Sequence, residues 1–319
     1  MLTVLVTGAT GGIGLQTAKV LARMGHSVLV HGRDPRKGAA AVEAVRAAMA
    51  AGAGGDPVVA SGDPVVASGE TGRWPVAAGM DPGRGPGAIV RFVQADFASL
   101  RQVESLAAEV VASVPRLDVL INNAGCGNLS RTVTTDGYET TFAVNHLAPF
   151  LLTNLLLDKL MKPGPARVVN VASRAHRNQE LDFDDLMSEH DYRVMRTYGR
   201  SKLANILFTR TLAKRLAGSN VTANSLHPGL IATGIGQTNA LARLGWKLIV
   251  LLRGGISLEE GAKTSVYLAT SPEVAGLSSG YYVKCRPAEL QTRSEAVSDA
   301  VGERLWKVSA ELVGLPCSS

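Results

Sequence analysis

Tyr198 and Lys202 stand four residues apart in the run Tyr198-Gly-Arg-Ser-Lys202. On a helix that spacing puts the phenol and the ammonium on one face. A free tyrosine titrates near ~10 and is a poor base at neutral pH. A cation beside it favours the phenolate and makes it a usable proton carrier. Ser173 precedes the pair and follows the apolar run RVVNVA, Arg167–Ala172. A serine hydroxyl there suits a substrate carbonyl oxygen, on which negative charge grows as hydride adds to carbon. Taken alone, a Tyr-Lys pair is also an ordinary pattern of a helix surface, so what surrounds it decides.

Four further motifs bear on a ligand. TGATGGIG, Thr7–Gly14, lies between the apolar run Leu2–Thr7 and a helix-spaced segment, Gly12–Met24. Its glycines fall where a dinucleotide pyrophosphate would meet a helix N-terminus. Gly8 suits the sharp turn, and Gly12 and Gly14 suit close approach of backbone to phosphate and of helix to sheet. The spacing departs from GxGxxG, so the loop also reads as a plain tight turn. HGRD, His31–Asp34, ends the second apolar run and has Gly32 and Arg33 where an NAD-selective fold carries an acid. A guanidinium suits a 2′-phosphate, with Arg36 or Lys37 assisting; the alternative is a solvated surface charge. Asp96, in VQADF, is placed for an adenine amino group. NNAG, Asn122–Gly125, offers small residues against which a cofactor can lie.

These motifs sit on an alternation of elements. Strands are expected at Leu2–Thr7, Ser27–Val30, Ile89–Gln94, Val119–Asn122, Arg167–Ala172 and Val221–Ser225. Helices are expected at Gly12–Met24, Ala39–Met49, Leu100–Val114, Tyr138–Met161 and Tyr198–Leu216. The pattern predicts a single α/β domain with a doubly wound, Rossmann-type parallel sheet covered by helices on both faces. Ligands on such sheets bind beyond the carboxyl ends of the strands, where every motif above falls. Residues from about 50 to 87 are Gly-, Ala- and Pro-rich and contain GDPVVAS twice, at Gly55–Ser61 and Gly62–Ser68. Gly and Pro in each unit exclude a continuous helix, and the segment reads as a flexible insertion.

Composition narrows the function classes. The 319 residues are 46% hydrophobic and 19% charged, a globular balance. The net charge of +6 is scattered, without a block of like charges, so an anionic cofactor is the expected partner rather than nucleic acid. The three cysteines, Cys126, Cys285 and Cys317, are far apart and indicate neither a disulfide framework nor a metal site. The first strand leaves no room for a signal peptide, and the apolar run Leu248–Leu252 is too short to span a bilayer. A soluble, cytoplasmic protein is the expectation, with peripheral membrane contact kept open.

With the motifs in this order, the sequence resembles the short-chain dehydrogenase/reductase family over nearly the whole chain outside 50–87. Within it, the chain is similar to the retinol dehydrogenase-like branch, through Val144–Leu160, Arg167–His176, Tyr198–Leu216, Leu226–Ile235 and the LDFDDL run Leu181–Leu186. The resemblance implies that Tyr198 is the general acid/base and that Lys202 binds the nicotinamide ribose and lowers the tyrosine pKa. It implies that Ser173 orients the carbonyl and that Asn145 completes a proton relay. It implies NADP(H), in preference to NAD(H), held by Gly8, Thr10, Gly12, Ile13, Gly14, Arg33, Asp96, Phe97, Asn123, Ala124, Gly125, Tyr198, Lys202, Pro228, Gly229, Ile231 and Thr233. Thr10 and Gly11 stand where the branch carries Asn-Thr, and the N-terminal anchor of membrane-bound members is not seen. His227 reads as structural. Members often dimerise or tetramerise through the Tyr-Lys helix and the helix before it.

The expected activity is interconversion of an apolar aldehyde or ketone and its alcohol. Residues 230–256 fall where the family has a substrate lid; the apolar positions within Thr238–Gly255 read equally as a core-facing helix. Two alternatives stay open: a sensor that binds NADP(H) without turnover, and a reductase of carbon–carbon double bonds like the protochlorophyllide enzyme.

Overall fold

The computed structural model describes residues 1–53, 87–230 and 255–316. Both GDPVVAS copies, Ile231, Thr233, Cys317 and nearly all of the expected lid lie outside them.

The first half alternates as expected. It runs β1 (Thr3–Val6), α1 (Gly12–Arg23), β2 (Ser27–Gly32), α2 (Pro35–Ala53), β3 (Val90–Gln94), α3 (Leu100–Ser113) and β4 (Val119–Asn122). Then come α4 (Thr140–Phe142), a π-helical turn (Ala143–Leu147), α5 (Ala148–Leu160), β5 (Ala166–Val171), α6 (Val194–Arg215) and β6 (Val221–His227). Beyond these lie α7 (Leu258–Thr270), β7 (Tyr281–Val283), β8 (Arg286–Pro287) and α8 (Asp299–Leu312), none of which the sequence pattern located. The sheet order is β3-β2-β1-β4-β5-β6-β7-β8. All pairings are parallel except the β7–β8 hairpin.

Alternation along the strands builds two cores. Leu5, Leu29, Leu120 and Val168 join Leu106, Leu151, Leu203 and Leu207 from α3, α5 and α6. Val4, Val6, Val28, Val30 and Val169 turn to the opposite face and pack with Leu21, Val45 and Val266 from α1, α2 and α7. Strands buried on both faces thus read as unbroken apolar runs.

Several boundaries differ from the expectation. Strand β2 continues through His31 and Gly32, where its register with Val93 and Gln94 of β3 holds. Helix α2 begins four residues early because Asp34 caps it, its Oδ1 accepting from the N–H groups of Arg36 and Lys37. It also runs on to Ala53, since Met49-Ala-Ala-Gly-Ala keeps high helix propensity despite Gly52. The expected helix Tyr138–Met161 starts at Thr140, where Glu139 caps it through both carboxylate oxygens, and is interrupted by the π-turn. Among the described residues, Thr140–Leu160 is long and apolar enough to cross a membrane by length and composition. Its apolar window is 72% buried in the protein, as in a core helix.

Helix α8 covers part of α5 and α6. Trp306 packs edge-on against Phe150, 4.9 Å between ring centroids, and lies over Phe208. Arg215 pairs with Glu303, and Lys214 with Asp299. The Tyr-Lys helix therefore spends one of its faces on its own chain.

Buried histidines make this fold sensitive to acid, and desolvation lowers His176 together with the four that follow. Burial holds His26, His31 and His146 down to about 4 and His227 down to about 3. The unfolded chain takes up these protons near pH 6.5 and the folded one does not. Their contribution is complete above pH 6.5 and is lost as pH falls toward 4. At pH 5 each costs about 2 kcal/mol of folding free energy. Thermal melts should show a high Tm plateau above pH 6.5 and a steep fall between 6.5 and 5; a Tm flat across that interval would contradict this account.

Candidate active site

Ser173, Tyr198 and Lys202 meet at the carboxyl end of β5. Helix α6 begins at Val194, one turn earlier than the sequence pattern suggests, so the pair sits inside the helix with both groups buried. The Lys202 ammonium donates to the carbonyl oxygen of Val171 at 3.1 Å and lies 5.6 Å from the centre of the Tyr198 ring. Ser173 caps a short 3-10 turn, Arg174–His176, by accepting from Ala175 N–H.

The electrostatics differ from the simple expectation. Burial pushes Tyr198 up to about 12, with the Ser173 hydroxyl beside it pulling the other way. Lys202 is drawn down to about 8 by the same loss of water. Desolvation therefore dominates at the phenol, and the group that acts against it is the Ser173 hydroxyl rather than the expected cation.

Asn145 lies on the π-turn, fully buried. Its Oδ1 accepts from Cys126 N–H at 2.7 Å, and its Nδ2 donates to the Cys126 carbonyl and to Ser201 Oγ, both at 2.9 Å. Ser201 in turn donates to the Tyr198 carbonyl at 2.7 Å. With both amide protons committed, the side chain clamps the loop after β4 to the Tyr-Lys helix. π-Turns inside helices are frequent at functional sites. The thiol of Cys126, in the same loop, is pushed up to about 12 by burial and is held protonated.

On the other side of the sheet centre, the glycine loop meets NNAG. Thr7 Oγ1 accepts from the N–H groups of Asn123 and Ala124 at 2.9 and 3.0 Å. Asn123 Nδ2 donates back to the carbonyls of Thr7 and Gly8. Gly8 adopts φ +63°, and a Cβ there would stand 2.8 Å from Ala124 Cα. A Cβ on Gly14 would strike Asn123 Nδ2 and the Gly8 carbonyl. A Cβ on Gly125 would lie 3.1 Å from Asn145 Oδ1 and 3.2 Å from Lys202 Nζ. Helix α1 starts after Gly11 with no side chain capping it, so its first N–H groups are open to an anion. Backbone close to backbone beneath an uncapped helix end fits a dinucleotide pyrophosphate.

The remaining predicted residues spread around this cradle. Thr10 leans over Gly32, its Oγ1 3.0 Å from where a Cβ on Gly32 would be, so Thr10, Gly32 and exposed Arg33 share one corner. Ile13 is half-buried on the first turn of α1. Asp96 Oδ1 accepts from Ala98 N–H. The Phe97 ring turns inward and stacks on His31, which leaves its backbone as the part that faces a nucleotide. Pro228 and Gly229, with φ +101°, end the described stretch after β6. His227 Nδ1 accepts from Arg174 N–H and so holds the turn after Ser173. Thr7, His31 and Ser201 emerge only in three dimensions, because their partners lie on other strands and helices. The one hint at His31 was a polar side chain inside an apolar strand.

Among known proteins, the family described as short chain dehydrogenase matches residues 2–63 and 56–244, the two parts meeting within the repeat-bearing segment. Human retinol dehydrogenase 14 is 41% identical over 316 residues, covering 98% of this chain and 86% of that protein. Human retinol dehydrogenase 13 is 37% identical over 328 residues, covering 99% and 86%. A crystal structure of a protein from Mycobacterium paratuberculosis superposes with TM-score 0.69 at 28% identity, covering 100% of this chain and 96% of that one. A short chain dehydrogenase/reductase family protein superposes at 0.60 with 26% identity, covering 88% and 94%. An eight-stranded Rossmann sheet, with a glycine cradle beyond the carboxyl end of β1 and Ser173, Tyr198 and Lys202 gathered beyond that of β5, accords with such relatives: the chain belongs to the short-chain dehydrogenase family, as an alcohol–carbonyl oxidoreductase that uses a nicotinamide nucleotide.

Proposed function

We propose that this protein interconverts an apolar aldehyde or ketone and its alcohol with NADP(H), and that Tyr198 carries the proton. The observation that supports it most is the buried cluster at the end of β5, where the Tyr198 phenol has the Ser173 hydroxyl beside it and the Lys202 ammonium one helical turn away. When bound, the nicotinamide supplies or accepts hydride at the carbonyl carbon. Ser173 holds the carbonyl oxygen. Tyr198, a protonated phenol at neutral pH, donates its proton to that oxygen during reduction. Lys202 orients the ribose through its ammonium, and Asn145 keeps the loop after β4 against α6.

Selection of the 2′-phosphate rests on the corner at the end of β2. Asp34, the acid nearest that corner in sequence, spends Oδ1 on capping α2. Arg33 is exposed, and its side chain has no ion pair among the described residues. Thr10 and the open backbone at Gly32 complete the corner. An apolar substrate is favoured by the retinol dehydrogenases among the relatives. Leu129 and Met195 are also exposed, on segments that the Tyr192 hydroxyl ties together by donating to the Asn128 carbonyl.

NADPH oxidation against a panel of apolar aldehydes and ketones tests the reading. Tyr198→Phe should lower kcat by about 10³-fold, the size of a lost general acid, while NADPH still quenches and binds as in the wild type. Equal turnover in the two proteins would remove Tyr198 from the chemistry, and tight NADPH binding with no turnover of any carbonyl would make the protein a sensor. Arg33→Ala should reduce kcat/KM for NADPH by roughly 10- to 100-fold, the value of a charge-assisted contact, and leave NADH nearly unaffected; a wild type that prefers NADH excludes the role of Arg33. Because Tyr198 is held protonated, alcohol oxidation should speed up as pH rises from 7 to 9, while carbonyl reduction gains nothing over that interval.

A further inference from the structure

His31 belongs to none of the roles above, yet it is wired into both halves of the nucleotide cradle. It stands at the carboxyl end of β2 and is 3% exposed. Its Nδ1 accepts the N–H of Gly8 at 3.2 Å. Its Nε2 lies 3.1 Å from the carbonyl oxygen of Ala95. A carbonyl only accepts and an N–H only donates, so the pair of bonds selects one neutral tautomer, with the proton on Nε2. The ring stacks on Phe97, with centroids 4.4 Å apart and planes 24° from parallel. The main chain repeats the connection: Ala9 N–H donates to the His31 carbonyl at 2.8 Å, and Ala95 N–H to the Gly32 carbonyl at 3.2 Å.

One imidazole thus joins the glycine loop after β1 to the segment Ala95–Phe97 after β3. Gly8 is the residue in that loop with the most demanding surroundings. It holds φ +63°, and Ala124 stands at its back. Rotation of the Gly8 peptide would move the loop on which the pyrophosphate is expected to lie. Asp96, the residue placed for the adenine, directly follows the carbonyl that His31 grips.

We propose that His31 is the positioning residue of the dinucleotide site, setting the Gly8 peptide and locking the pyrophosphate loop to the adenine wall before the nucleotide arrives. Preorganisation of this kind raises affinity by removing the ordering cost from the binding step. The proposal rests on the reading that the glycine cradle takes a nicotinamide nucleotide. It does not depend on the choice between NADP(H) and NAD(H), whose pyrophosphate and adenine are the same.

The test is a binding titration of NADPH and NADH, and of 2′-phospho-ADP-ribose and ADP-ribose, which lack the nicotinamide. Wild type, His31→Ala and His31→Asn are compared. For the preferred nucleotide and its fragment alike, His31→Ala should weaken Kd by about tenfold, the effect of leaving a backbone donor and acceptor without partners. kcat at saturating nucleotide should stay within about twofold of wild type, because Tyr198, Lys202 and Ser173 are untouched. Asparagine can present an oxygen near the place of Nδ1 but cannot reach Ala95, so His31→Asn should fall between the two; it also carries the test should the alanine variant not fold. Val28→Ala, on the same strand, serves as the control: it should lower Tm and leave Kd unchanged. Unchanged Kd in both His31 variants, or a loss seen for the whole nucleotide but not its fragment, overturns the proposal. A wild type that binds neither nucleotide overturns the reading of the cradle itself.

Discussion

A lysine ammonium with almost no access to water has to be given an acceptor, and Lys202 has the carbonyl of Val171. An unpaired charge in that position would be very costly. The bond therefore pins the middle of α6 to the last residue of β5. Once α6 is pinned there, Tyr198 one turn earlier has no choice but to face Ser173, which begins the turn out of the same strand. The loop after β4 is drawn in as well, since Gly125 lies close enough to Lys202 that a side chain there would crowd Nζ. The small residues of NNAG follow from the same crowding.

The π-turn at Asn145 is the second consequence of this packing. A regular helix from Thr140 to Leu160 would keep its backbone satisfied but would set its side chains in a different rotation at the site. The extra residue turns Asn145 so that its amide spans two elements, the Cys126 peptide on one side and Ser201 on the other. Ser201 then reaches the Tyr198 carbonyl. Helix α6 is held by β5 through Lys202 and by the π-turn through Ser201, so it is braced from two directions. Helix α8 supports the π-turn in its turn, where Ser309 Oγ meets His146 Nε2 at 2.8 Å.

What could be read from the sequence divides along the same physical line. The glycine loop was legible because close packing of backbone on backbone demands glycine, and a Cβ at Gly8 or Gly14 would strike Ala124, Asn123 or the Gly8 carbonyl. The Tyr-Lys pair was legible because helical spacing alone puts the two groups on one face. The parallel, doubly wound sheet followed from alternating strands and helices. The brace residues were not legible: Thr7, His31 and Ser201 act through partners 116, 64 and 56 positions away, and no local pattern records them. The π-turn was hidden inside an apolar helical run. Strands β7 and β8 were missed because they have three and two residues, too few to show a period; the longer α7 and α8 were not assigned from the pattern. Burial, which raises the Tyr198 phenol, is a property of the fold, whereas the neighbouring lysine is visible in the sequence.

The same division explains why the reaction is easier to name than the substrate. Hydride and proton transfer need a few polar groups at fixed distances, and those groups leave a signature in residue type and spacing. Recognition of an apolar molecule needs only a surface of suitable shape, which many unrelated sequences can form. In this chain the polar groups fall on α6, β5 and the loop after β4, all tied to one another by hydrogen bonds. The exposed apolar residues Leu129 and Met195 carry none of these polar groups: Leu129 follows Asn128, whose carbonyl accepts the Tyr192 hydroxyl, and Met195 stands on the first turn of α6. A substitution at these exposed side chains leaves the bonded set in place, whereas one within the set changes several contacts at once. Divergence within such a fold should accordingly concentrate at exposed positions of this kind, and the bonded set should persist where a buried lysine still needs its carbonyl.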